Sequence, residues 1–220
     1  GIGKTTVAVN LAAAYGKQLF KVAIIDLDLQ FGDVAMFLDL KPRYTIYDWI
    51  KEDKRGTEIE RYMTSYDNGI SILAAPQRPE FAELITGEDV KKAIQNMKKR
   101  FDVIIIDVSS HMNDSVIVAL EHSDDILVMT HLDLPTLKNT KLLLNTLGSL
   151  QLGNRAKVVL NRYMRVKGIT LDIVEQITEQ NIMATLPSMD KGMINAINEG
   201  KPICDVSPRS KVSKDRKSVV

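Results

Sequence analysis

The 220-residue chain is short of several things. It has one cysteine, Cys204, which excludes an internal disulfide and a four-thiolate metal centre. A reducing compartment fits that count. Glycine and proline are scarce, at 12 and 7 residues, so collagen-like and low-complexity readings fail. No apolar run approaches the roughly 20 residues a membrane-spanning helix needs. Charge of one sign is also lacking. Lys and Arg total 29 against 28 Asp and Glu, so the whole chain is no electrostatic partner for nucleic acid or an anionic membrane. There is no internal repeat and no Gly/Ser linker. What is present is ordinary for a globular domain: 45% hydrophobic and 26% charged residues, in a length that suits one domain.

Apolar runs alternate with helical periodicity. Helices are predicted at residues 5–15, 87–99, 115–122, 134–150, 171–179 and 193–198, the first with Val7, Leu11 and Ala14 on one face. Strands are predicted at 21–26, 70–74, 103–107, 126–130, 157–161 and 183–186, several of them apolar enough to be buried on both faces. Residues 33–65 read as short helices and loops anchored by Trp49 with Tyr44 and Tyr47. Such alternation defines an α/β layer fold with a mainly parallel sheet. Ligands in these sheets sit at the carboxyl ends of the strands, so the chemistry is sought there.

One such place is Gly1-Ile2-Gly3-Lys4-Thr5-Thr6, which opens a helix. Glycines let backbone N–H groups curl around phosphate oxygens, and the helix N-terminus adds partial positive charge. Lys4 is placed to reach β/γ-phosphates, and the Thr5 hydroxyl to ligate Mg²⁺. The Gly-x-Gly also suits a dinucleotide-binding turn, with an acid at the end of the next strand. Against that, Thr6 stands where its third glycine belongs and Lys4-Thr5 has no role in it. Asp26 and Asp28 end the next strand, and Asp107, ending the most apolar one, is the natural Walker-B acid. His111, His122 and His131 show no ligand spacing, and the nine methionines read as core filler.

The run from Gly1 through Ala14 resembles the deviant Walker A of the ParA/MinD ATPases, and 22–28 resembles that family's strand ending in D-x-D. Within the family, 26–35, 73–77, 133–141, 159–163 and 187–202 are similar to the CpaE/TadZ pilus-assembly branch. The resemblance implies a three-layer P-loop fold binding ATP and Mg²⁺. Gly1, Ile2, Gly3 and Lys4 hold the β/γ-phosphates, and Thr6 the α-phosphate. Thr5, Asp26 and Asp107 serve the metal, and Asp28 orients the attacking water. Asn161 and Arg162, with Pro187, Ser188, Met189 and Asp190, match the adenine pocket. Relatives carry a further lysine two positions before the residue matching Gly1, on the loop after a central strand. That strand and the start of the loop are therefore expected upstream of Gly1, leaving a slot beside 103–107. The expected domain is 1–206, followed by a basic tail at 207–220. Many relatives have proline directly after the Walker-B strand, where this chain has Val108-Ser109-Ser110-His111.

Three functions follow from the resemblance. The first is an ATP-dependent homodimer that hydrolyses ATP and places or assembles a Tad pilus. It implies a cytoplasmic protein, with partners in pilus assembly or polar localisation, recruited to the inner membrane or a cell pole. The second is a partition or positioning ATPase acting on DNA or membrane, for which only the tail offers basic charge. The third is a nucleotide-binding scaffold with little turnover.

Overall fold

The computed structural model describes residues 2–53, 57–67, 69–164, 168, 170–188 and 190–206. The chain runs α1 (Lys4–Gly16), β1 (Val22–Leu27), α2 (Val34–Phe37), α3 (Ile46–Glu52), β2 (Thr64–Tyr66), β3 (Ile70–Leu73), α4 (Gly87–Met97) and β4 (Val103–Val108). It continues through α5 (Asp114–Glu121), β5 (Ile126–Thr130), α6 (Leu134–Ser149), β6 (Ala156–Tyr163), α7 (Leu171–Thr178), β7 (Ile182–Pro187), α8 (Asp190–Asn198) and α9 (Ile203–Val206).

Strand periodicity sorts the helices into layers. Val22, Ile24, Ile70, Ile72, Val103 and Ile105 face α1, where Val9, Ala12 and Ala13 meet them. The alternate residues Ala23, Ile25, Leu27, Ile104 and Ile106 face α3 and α4, with Trp49, Val90, Ile94 and Met97 in the same core. Two residues on, a side chain returns to the same face, so one apolar run supplies both cores. Trp49 is 2% exposed, as an anchor of that small helical layer must be.

The strands form two sheets, ordered β2-β3-β1-β4 and β5-β6-β7. All pairings are parallel except β2 with β3. The break lies between β4 and β5, where a cleft of about 650 Å³ is lined by Ile104 and Ile106 on one side and Leu127 and Met129 on the other. The break explains why β4, the most apolar strand, is only half-buried at Val103–Ile106 while β1 is buried throughout. Helices bridge the break. Val7 of α1 packs with Met129, Val159 and Leu186, and α5 contributes Ala119 to the first sheet's core and Val116 and Leu120 to the second's.

Helix starts follow local chemistry. Thr86 and Asp89 cap α4 reciprocally, Asn113 caps α5 and Asp133 caps α6, each accepting an N–H of the first turn. Two elements were not anticipated. Strand β2 has three residues, too few to show alternation, and α9 has four. The basic tail at 207–220 lies outside the described residues. Among the described residues, no helix is long and apolar enough to cross a membrane.

Candidate functional site

Helix α1 begins at Lys4 because Gly3 takes a left-handed turn, φ 92° and ψ 25°, which favours glycine. Space enforces the same choice. A Cβ on Gly3 would stand 2.4 Å from Asn161 Nδ2. The first-turn amides of this helix carry its positive end. Across the loop, Asn161 at the end of β6 donates from Nδ2 to the Ile2 carbonyl at 3.0 Å and accepts from the Arg162 N–H at 3.0 Å. Arg162 takes a left-handed φ of 53° to allow this. The sequence pointed Asn161 at the base of a nucleotide; in the structure its side chain braces the phosphate loop.

Asp26 and Asp107 are register partners on β1 and β4, 2% and 3% exposed. Burial pushes the Asp107 carboxyl up to about 6, held back by the Thr5 hydroxyl that donates to it and by the Lys4 charge. Its Oδ2 is buried with no hydrogen-bond partner among the described residues. Burial pushes Asp26 up to about 7, held back by two backbone N–H groups and raised further by Asp107. Those N–H groups are Val34 on Oδ2 at 3.1 Å and Asp28 on Oδ1 at 3.2 Å. Asp26, expected to support the metal shell, is also bonded by the protein's own backbone. Both its oxygens hold the loop that carries Asp28.

Asp28 is half-buried in a turn closed by the Phe31 N–H on its carbonyl at 3.2 Å. Asp33 nearby is also raised, by burial and by Asp28. Four carboxylates therefore lie within electrostatic reach of one another, and the Lys4 charge acts on Asp107 among them. Among the described residues, no three Asp, Glu, His or Cys side chains converge to hold a metal unaided. A divalent ion held here would need Asp107, the Thr5 hydroxyl and oxygens from outside the protein. The orphaned Asp107 Oδ2 beside that hydroxyl fits such an ion.

The structure also brings in a residue the sequence reading set aside. His131 follows β5 directly and has a buried Nε2 with no hydrogen-bond partner among the described residues. Burial and the Arg162 charge push its pKa down. Its position at a strand end was the available signal. His111 is exposed, its N–H bonded to Ser109 Oγ at 3.2 Å. Pro187 ends β7 opposite Tyr163, and the Ser188 N–H reaches the Tyr163 carbonyl at 3.4 Å. Asp190 opens α8, while Gly1 and Met189 lie outside the described residues.

A phosphate loop on a parallel sheet, with buried acids at the ends of the two strands beside it, defines a P-loop nucleotide-binding protein. A family model described as "AAA domain" matches residues 1–160, and the chain belongs to that family. It is 27% identical to the septum site-determining protein MinD of Thermotoga maritima, over 98% of this chain and 81% of that protein. It is 25% identical to the sporulation initiation inhibitor protein Soj of Bacillus subtilis, over 96% and 89%. Among solved structures, a ParA family ATPase from Chlorobium tepidum superposes with a TM-score of 0.94 at 23% identity, covering 100% of this chain and 93% of that one. The cell division ATPase MinD of Pyrococcus furiosus gives 0.84 at 24% identity, covering 100% and 92%. The chain is of the ParA/MinD type of P-loop ATPase.

Proposed function

We propose that the protein is a positioning switch of the ParA/MinD kind that binds ATP with Mg²⁺ and hydrolyses it. The observation that carries this is the buried Asp107 carboxylate, bonded by Thr5 and, among the described residues, unpartnered at Oδ2. Mg²⁺, when bound, neutralises charge on the transferred phosphoryl group. The chain's own residues do the rest. Lys4 and the Gly1–Gly3 backbone hold the phosphates, Thr6 supports the α-phosphate, and Asn161 keeps the Ile2 carbonyl in place. Asp26 fixes the turn that presents Asp28 to the attacking water. Asn161, Arg162 and the loop at 187–190 border the base. Phosphoryl transfer needs positioning and charge neutralisation more than covalent chemistry, and the site supplies both.

Relatives named for septum-site determination and sporulation control favour a role in placing a cargo through an ATP-dependent homodimer, with protein partners and contact with DNA or membrane. The stretches at 26–35 and 133–141 support a second reading, the pilus-assembly branch.

Asp28→Ala tests the central reading. ATP binding persists and phosphate release is lost; unchanged turnover would overturn the role of Asp28. Loss of both binding and turnover in Lys4→Ala, with the fold intact by circular dichroism, checks the loop.

A further inference from the structure

Strand β2 is the outermost strand of the first sheet and pairs only with β3, Ser65 opposite Ser71. Its other edge therefore presents backbone groups with no partner in the sheet. Beside it lies a cleft of about 510 Å³, lined by Lys41, Arg43, Tyr44, Arg61, Thr64 and Ser65 among others, with no acid in its walls among the described residues. Lys41 and Arg43 are exposed, and neither makes a side-chain hydrogen bond or ion pair among the described residues. The Arg43 guanidinium lies over the Tyr44 ring at 5.2 Å, and Tyr44 meets Tyr62 edge-on at 5.2 Å. Among the described residues Arg61 pairs only with Glu58, at 3.4 Å with both side chains largely exposed, a pair that screening makes weak.

We infer that this cleft docks an acidic, extended segment of a partner protein, added as a fifth strand along the free edge of β2. Three cations in one cleft are a local excess in a chain of net charge +1, so the occupant is anionic. The free edge decides which anion. A row of N–H and C=O groups pairs with another peptide backbone and has no matching row in a nucleic acid. Duplex DNA also draws affinity from many phosphate contacts, which three cations do not provide. Held rings and a stacked Arg43 leave little side-chain freedom to lose on binding. The residues of this cleft are not those of the phosphate site, so its occupancy is separable from nucleotide binding.

The test uses a fluorescein-labelled eight-residue peptide of alternating Glu and Thr, read by anisotropy in about 0.1 M salt. The peptide binds, and Lys41→Glu with Arg43→Glu weakens it at least about tenfold while nucleotide binding is unchanged. Amide exchange at 64–66 slows on peptide addition. The same peptide with alternate backbone nitrogens methylated keeps its charge, cannot pair along a strand edge and fails to bind. Absence of peptide binding overturns the inference. So does equal binding by the methylated peptide, by the double variant, or by a duplex DNA of similar charge.

Discussion

Asp26 and Asp107 face each other across β1 and β4, at the same level of the sheet and almost equally buried. Their partners differ. Two backbone amides occupy both oxygens of Asp26, whereas Asp107 has the Thr5 hydroxyl and one empty oxygen. The same side chain at the same depth is bonded at both oxygens in one strand and keeps an oxygen without a partner among the described residues in the next. A carboxylate's role is set by how many of its lone pairs the protein already fills. Burial alone, which raises both, does not distinguish them.

The largest expected effect breaks the Asp107 side. Asp107→Asn lowers Mg²⁺-dependent ATP turnover at least about a hundredfold, the scale of losing one electrostatic contact to transferring charge. Its melting temperature without nucleotide does not fall, because a buried charge has been removed. A phosphate-release assay and a thermal melt check both. Asp26→Asn comes next. Its amide nitrogen faces a backbone N–H, so the turn bearing Asp28 loosens and turnover drops about tenfold, while nucleotide affinity stays within about threefold.

Gly32→Ala reaches Asp26 indirectly. The added Cβ would lie 2.4 Å from Ala75 Cβ and 2.6 Å from Asp26 Oδ2, so one of them must move. The expected cost is about 1–3 kcal/mol in urea unfolding, with partial loss of turnover.

A pH series sharpens the comparison further. Folded-state pKa values of about 7 for Asp26 and about 6 for Asp107 lie above the ordinary 3.8. A raised acid leaves the folded state holding more protons, so each penalises stability as pH rises through that window, from about 4 to about 7. Urea unfolding of nucleotide-free protein at pH 5 and pH 7.5 shows the decline, and each Asn variant flattens its own share. The smallest effect is expected from His111→Ala, on the exposed loop after β4: within about 0.5 kcal/mol in unfolding.

Long apolar runs made most elements legible. Residues 103–107 read as a strand and form β4 over Val103–Val108; 126–130 match β5 throughout. Strand β2 escaped because Thr64-Ser65-Tyr66 is held by its pairing with β3, not by its own pattern. The single face expected for α1 was too simple. Val7, Ala8, Val9, Asn10, Ala12, Ala13 and Gly16 are all buried, because the helix lies across both sheets. In the site, Lys4, Thr5, Asp28 and Asp107 were legible from a helix start and strand ends. The bond from Asn161 to the Ile2 carbonyl joins residues 159 apart, and no local pattern encodes it.

From the sequence alone came the alternating fold, the phosphate-binding helix start and the acids that close its neighbouring strands. These depend on local periodicity and on residue types whose chemistry is narrow. Only the tertiary structure decided which acid keeps an unpartnered oxygen, what Asn161 and His131 stand beside, and that 64–66 becomes an edge strand on β3. Each of those depends on which groups from distant segments fill a lone pair, a ring nitrogen or a strand edge, and that is settled by packing.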